Sequence, residues 1–227
     1  MSGTLILLTR NEIDGVKAIF DMMPLDKAEE VLVIDGGSTD GTVDFFERKG
    51  VKVVSQDKKG RGVAFRIGMQ EAHGENLVYF SPDGNEDPND IPILFDLLDQ
   101  GYDLVIASRF MEGAKSDDSD DPLLVRRVGN KFFTFWVNML WKAHVTDAIN
   151  GFRGIQKSKL ARLHLDADEH EVELQMTIRA AKLGYSITEI PTQEHERIGG
   201  ARKAATWRMG RRFTTFLIRE LVRGKRF

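Results

Sequence analysis

The chain has 227 residues, 41% of them apolar and 30% charged, with a formal net charge of −3, which suits one well-cored α/β domain and argues against disorder. Having no cysteine, it cannot form disulfides, use a thiol nucleophile or bind zinc through sulfur. The small net charge hides an asymmetry, because residues 206–227 carry +6 and the remainder −9, so a basic tail on an acidic body suits an anionic partner.

Residues 4–9, TLILLT, form a short continuous apolar run and predict a fully buried strand. Polar Arg10, Asn11 and Glu12 follow, then a helix over 13–23 stopped by Pro24. A second strand over 31–34 runs into DGGSTDGT, residues 35–42. Its glycines permit a tight turn, and Ser38, Thr39 and Asp40 can cap a helix over 42–49. Strand, Gly-rich turn and helix start make a nucleotide cradle. The spacing matches neither the dinucleotide fingerprint nor the phosphate loop of ATPases. A third strand is expected over 51–55, then a helix from Lys59-Gly60-Arg61-Gly62 through Ala72, where Arg61 is placed to reach a phosphate.

The fourth strand, 77–80, stops abruptly in SPDGNEDP, residues 81–88. Pro, Gly, Asn and carboxylates at that point deliver hard oxygen ligands to the carboxyl edge of a sheet, where open α/β sheets bind ligands. Asp83 and Asn85 sit two apart, so their oxygens can point the same way, as a Mg²⁺ or Mn²⁺ ion shared with a diphosphate requires. An EF-hand is excluded, because Pro88 stands where its Gly belongs and Leu94 where its bidentate Glu belongs.

A helix to Gln100 and a fifth strand over 104–107, closed by Ser108 and Arg109, complete an alternation that predicts a mostly parallel sheet flanked by helices. Residues 113–122 are rich in Asp and Ser and are expected to form a loop. A helix over 123–142, an irregular TDAINGFRG segment at 146–154, a helix over 171–183 and a strand over 186–190 follow, then the loop ERIGGARK at 196–203. Asp147 and Arg153 are expected near each other, Asp147 as loop anchor or as base for a hydroxyl acceptor. The five histidines show no ligand spacing and receive no role. Over 207–227, Trp207, Phe213, Leu217 and Leu221 recur at helical spacing among arginines, the pattern of a core helix or of a basic helix lying on an anionic membrane surface. No apolar run is long enough to span a bilayer, and nothing at residues 1–10 marks the chain for export. The expected location is the cytoplasm, peripheral at the cytoplasmic membrane face.

TRNE (9–12), DGGSTDGT, GRGVAFRIGM (60–69), SPDGNEDP, VIASRF (105–110), TDAINGFRG, the helix containing Glu173 and RIGGARK (197–203) occur in that order. In this set the chain resembles family-2 glycosyltransferases of the GT-A, Rossmann-like fold and, more narrowly, dolichyl- and polyprenyl-phosphate mannose synthases. The resemblance implies a GT-A domain over 1–205 followed by a C-terminal amphipathic helix over 206–227. It implies that Asn11, Glu12 and Asp35 hold the nucleotide and that Asp83 and Asn85 bind Mg²⁺ or Mn²⁺ with the diphosphate. Arg109, Arg127, Arg153, Arg197 and Arg202 or Lys203 would then surround the phosphates of donor and acceptor, Asp83, Arg127, Arg153 and Arg197 being the catalytic set. Ser81 stands where the family's first metal-site Asp belongs, Asn85 where its Gln belongs and Gly36 where a second Asp belongs.

The implied activity is inverting transfer of a sugar, mannose from GDP-mannose, to a polyprenyl or dolichyl phosphate, with peripheral membrane contact through 206–227. A lipid phosphate is already an anion and needs no base, so the serine at 81 favours it as nucleophile over a hydroxyl. The alternatives are a transferase using a UDP-sugar and a soluble hydroxyl acceptor, and a catalytically silent nucleotide-sugar binding module. Nucleic acid is not an expected partner, because the tail's Phe and Leu fall on a helical stripe and no recognition module is present.

Overall fold

The computed structural model describes residues 2–116, 125–198 and 206–227. The alternation read from the sequence is realised as strands β1 (Gly3–Thr9), β2 (Glu30–Asp35), β3 (Lys52–Ser55), β4 (Asn76–Phe80) and β5 (Leu104–Ser108). Between them run helices α1 (Ile13–Ile19), α2 (Thr42–Arg48), α3 (Arg61–Glu71) and α4 (Ile91–Asp99). The first helix is shorter than expected, its last turn tightening into a 3₁₀ turn at Phe20–Met22. Residues Pro88–Asp90 form another such turn, in which the Asp87 side chain accepts from the Asn89 amide at 2.9 Å before α4 begins.

The later half adds a two-residue strand β6 (Lys115–Ser116), α5 (Val125–Trp141), β7 (Arg153–Gln156), α6 (Lys157–Arg162), α7 (Glu171–Leu183), β8 (Ile187–Pro191), β9 (Gln193–Glu194) and α8 (Thr206–Arg223). Seven strands make one sheet in the order β3-β2-β1-β4-β7-β5-β8. All of its pairings are parallel except those of β7, which runs antiparallel between β4 and β5. The sequence reading left 146–154 irregular, because Arg153-Gly154-Ile155-Gln156 has no apolar run to announce a central strand.

Strand alternation divides the core into two layers. Ile6, Leu8, Leu32 and Ile34 face α3, α5, α7 and α8, whereas Leu5, Leu7 and Val33 face α1, α2 and α4. The helix α8 closes the first layer through Phe213 and Phe216, both nearly inaccessible, with Phe133 of α5 edge-on to Phe213 at 5.3 Å. Its inner face also inserts Glu220, fully buried, between Arg179 and Lys182 of α7, each at 2.7 Å. Among the described residues, no helix is long and apolar enough to cross a membrane.

Two outcomes follow for the docking of α8. Glu220→Ala strands Lys182 in the interior and removes one of the two carboxylates on Arg179, and is expected to lower unfolding free energy by about 3–5 kcal/mol in urea titrations. Asp166, at the edge of the same junction, accepts from Arg223 at 2.9 Å and Arg179 at 3.0 Å. Partial burial pushes its carboxyl up, but hydrogen bonds from Arg223 and Gln175 and the charges of Arg179 and Arg219 outweigh this and hold it at about 2. A depressed folded-state value stabilises the fold above the ordinary carboxylate range and is lost as pH falls towards 2. Stability measured from pH 5 to 2 should therefore fall less steeply in Asp166→Asn than in the parent.

Candidate functional site

Parallel strands all present their carboxyl ends at one edge, so the segments after β1, β2, β4 and β5 converge there. Because β7 runs the other way, the segment that precedes it, 146–152, reaches the same edge. The result is a cavity of about 410 Å³, lined from β1 and its exit by Thr9, Arg10 and Glu12, from β2 by Gly36, and from α3 by Arg61. Ser81, Asp83, Asn85 and Glu86 line it after β4, Arg109 after β5, Asn150 and Gly151 before β7, and Glu173 and His170 at the start of α7.

The SPDGN turn and the loop after β9 hold each other. The His195 amide donates to the Asn85 carbonyl at 2.9 Å, and the Ile198 amide donates to the Asp83 carbonyl at 2.8 Å. The Asn85 side-chain nitrogen returns a hydrogen bond of 2.5 Å to the His195 carbonyl. Gly84 sits between them at φ +82°, a conformation that favours glycine, with Ile198 packed where a side chain would stand. This lacing brings Arg197 over the turn, 3.3 Å from Asp83 and hydrogen-bonded to Glu12. Residues 12, 83 and 197, remote in sequence, thus form one ionic cluster.

Two further guanidinium groups line the cavity. Arg61 donates to Glu173 and, at 3.3 Å, to the Ser81 hydroxyl; a Cβ on Gly151 would overlap this guanidinium. The second oxygen of Glu173, buried, has no hydrogen-bond partner among the described residues. Arg109 grips Asp147 with two hydrogen bonds of 2.7 and 3.0 Å, the planar fork-to-carboxylate geometry that makes such pairs strong. Burial pushes the Asp147 carboxyl up, but Arg109 and the amide of Ile149 outweigh it and leave a net lowering. Asp147 is therefore an anchor; its hydrogen-bonded partner is Arg109, while its charge also acts on Arg153, expected near it.

Arg153 does not join the cavity wall. Its guanidinium is wholly buried and donates to the carbonyls of Asn150 and Glu173 and, at 3.3 Å, to the Thr177 hydroxyl, tying the β7 entrance to α7. Arg127 lies exposed on α5, one turn before the lining residue Asn130, and is not itself among the residues that line the cavity. Arg202 and Lys203, like Asp117, Asp118, Asp120 and Asp121, lie outside the described residues. Asp35 is buried and shapes the turn after β2, accepting the amides of Gly37 at 2.9 Å and Ser38 at 2.7 Å. Asn11, at φ 54°, accepts the Thr39 amide at 2.7 Å and fastens the same turn to β1.

Glu86 and His170 receive no role from the sequence, and Glu173 enters it only through its helix. Glu86 sits inside the SPDGNEDP stretch and accepts the Ser81 amide at 2.7 Å. Burial and the adjacent charge of Asp83 push its carboxyl up to about 8. The Asp83 carboxyl is also raised, by burial first, against the opposing charge of Arg197. Burial holds the His170 imidazole below its ordinary range. No spacing within the sequence marks the place of Glu173 or His170 in the cavity, because the start of α7, in the same layer as α3, brings them in.

The donor set decides how a divalent cation would be held. Among the described residues, no three His, Cys, Asp or Glu side chains converge as a metal cage. Mg²⁺, however, is commonly held by one or two carboxylates together with substrate phosphates. Asp83 fits that shared mode, and Asn85, its nitrogen committed to His195, has its amide oxygen left for the ion. Burial is the first cause of the raised Asp83 and Glu86 carboxyls, and at Glu86 the charge of Asp83 adds to it.

Comparisons with known proteins agree with this arrangement. Residues 4–163 match the model of the family described as glycosyl transferase family 2. A glycosyltransferase of Haloferax volcanii, AglJ, is 29% identical over 85% of this chain, which spans 63% of that protein's length. A dolichyl-phosphate hexose transferase of the same organism is 28% identical, covering 86% of this chain and 83% of that one. An undecaprenyl-phosphate mannosyltransferase of Micrococcus luteus is 29% identical over 87% of this chain and 85% of its own. Among solved structures, glucosyl-3-phosphoglycerate synthase from Mycobacterium tuberculosis, in complex with UDP, superposes with a TM-score of 0.75 at 19% identity, over 97% of this chain and 80% of that one. The same enzyme has been solved with Mn²⁺, UDP and phosphoglyceric acid; at this identity the likeness concerns the fold. The ordered motifs, the sheet edge they build and a family match over more than half of the residues lead to one conclusion: the chain belongs to glycosyl transferase family 2, on a GT-A, Rossmann-like fold.

Proposed function

We propose that the protein transfers a hexose, mannose from GDP-mannose, to a polyprenyl-type lipid phosphate with inversion at the anomeric carbon. The observation that carries this reading is the set of three guanidinium groups, Arg61, Arg109 and Arg197, each held by a carboxylate at the cavity wall. Such a set suits a reaction whose leaving group is a diphosphate and whose nucleophile is a phosphate, since Arg recognises both through paired hydrogen bonds. The names of the relatives from Haloferax and Micrococcus support a lipid-phosphate acceptor.

Asp83 and Asn85 would hold Mg²⁺ or Mn²⁺, which when bound supplies positive charge to the diphosphate. The chain's own residues position and neutralise. Arg197, placed between Glu12 and Asp83, exchanges carboxylate contacts for the leaving diphosphate. Arg61 covers the position where Ser81 replaces a carboxylate. The acceptor phosphate oxygen attacks C1 as the bond from C1 to the diphosphate oxygen breaks, and no proton has to be removed from the nucleophile. The committed, buried Asp147 is consistent with a reaction that uses no carboxylate base.

The test is mass spectrometry of products formed from GDP-mannose or UDP-sugars, with Mg²⁺ or Mn²⁺ and a water-soluble, short-chain polyprenyl phosphate. The expected product is a mannosyl phospholipid. Exclusive transfer from a UDP-sugar to soluble alcohols would overturn the acceptor and donor together, and donor binding without turnover or hydrolysis would leave a silent binding module. A second expectation concerns Arg61. Gly151→Ala should displace its guanidinium and weaken GDP binding about tenfold in calorimetry, the scale of one charge-assisted hydrogen bond, with unchanged far-UV circular dichroism.

A further inference from the structure

The outer surface of the α5–α8 pair is unlike the rest of the molecule. On α5, Val128, Phe132, Phe135 and Met139 are 66, 52, 59 and 51% exposed, and their spacing of four, three and four residues lays them along one helical face. The opposite face, with Phe133, Thr134 and Val137, is the one in the core. On α8, Ile218, Leu221 and Val222 are 55, 51 and 83% exposed. The stripe of α8 that packs inward is Phe213, Phe216 and Glu220, so part of the pattern open to a core or a membrane reading is core, and the free apolar surface is shared between two helices. A contiguous apolar surface of this kind marks an interaction site.

Charge selects the partner. The sequence of α5 contains no Asp or Glu, and the one acidic residue of α8, Glu220, is buried. Exposed cations flank the apolar rows: Arg127, Lys131 and Lys142 beside α5, Arg211, Lys225 and Arg226 beside α8. Two copies of the chain placed face to face would oppose like charges, whereas an apolar row with a basic rim complements an anionic bilayer. The inner faces of the same two helices meet the cavity, where Asn130 of α5 and Met209 of α8 are among the lining residues.

We infer that the outer faces of α5 and α8 together form the docking surface for an anionic membrane, with Phe132 and Phe135 as the inserting side chains. The inference rests on the lipid-acceptor reading for its purpose, but membrane binding is measured without turnover. The experiment is vesicle flotation of the full chain with phosphatidylglycerol/phosphatidylcholine vesicles and with phosphatidylcholine alone, comparing the parent with Phe132→Ser/Phe135→Ser. The parent should float with the anionic vesicles and release at high salt. The double variant, altered at exposed positions, should bind at least about tenfold more weakly, while turning over the short-chain soluble acceptor within about twofold of the parent. Equal flotation of parent and variant, or no flotation of the parent, would overturn the inference. So would a parent that sediments as a dimer and a variant that sediments as a monomer, since the face would then be an interface between copies. If flotation behaves as expected and no lipid product forms, the acceptor reading fails and the docking surface stands.

Discussion

A guanidinium removed from water needs an anion or a full set of acceptors beside it, and the edge of this sheet is arranged by that constraint. Arg61 stands on Glu173, Arg109 on Asp147, and Arg197 between Glu12 and Asp83. Each pair joins segments distant in sequence, so charge compensation also sets the relative positions of α3, α7, the β5 exit and the loop after β9. The same pairs keep the side chains extended over the cavity before any phosphate arrives. A bound diphosphate would meet cations already ordered, and little side-chain entropy would remain to be lost.

The reversal of one strand makes this possible. With β7 antiparallel between β4 and β5, residues 146–152 enter at the edge where the parallel strands end. Asp147 thereby reaches Arg109, and Gly151 leaves room for Arg61. Arg153, the first residue of β7, is drawn under the floor instead of into the cavity. Its donors go to the carbonyls of Asn150 and Glu173, tying β7 to α7, so this cation serves architecture rather than recognition.

The pair α5 and α8 divides its work between two faces. Inward, Phe133, Phe213 and Phe216 complete a core layer, and Glu220 neutralises Arg179 and Lys182. Outward, apolar and cationic side chains face solvent together, a surface that a protein without a partner for it rarely presents. The core contacts give a rigid mount, and the outer face is free to meet something large and anionic.

Much was determined by the sequence alone. The apolar runs located the five early strands to within a residue or two, most directly β1, β4 and β5, which are buried along their whole length and so read as continuous runs. SPDGNEDP and DGGSTDGT marked the binding edge, since Gly, Pro and carboxylates directly after such runs have few other uses. Tertiary structure decided the rest. The strand at 153–156 owes its place to neighbours on both sides, not to its own pattern. Glu173 and His170 reach the cavity from a helix start more than eighty residues beyond Asp83. The three candidate arginines at 109, 153 and 197 looked equivalent as cations after or within loops, and only packing separated the two that line the cavity from the one buried beneath it. Local patterns specify which face of an element is apolar, but the partner of a charge is set by whichever segment the fold brings within hydrogen-bonding distance.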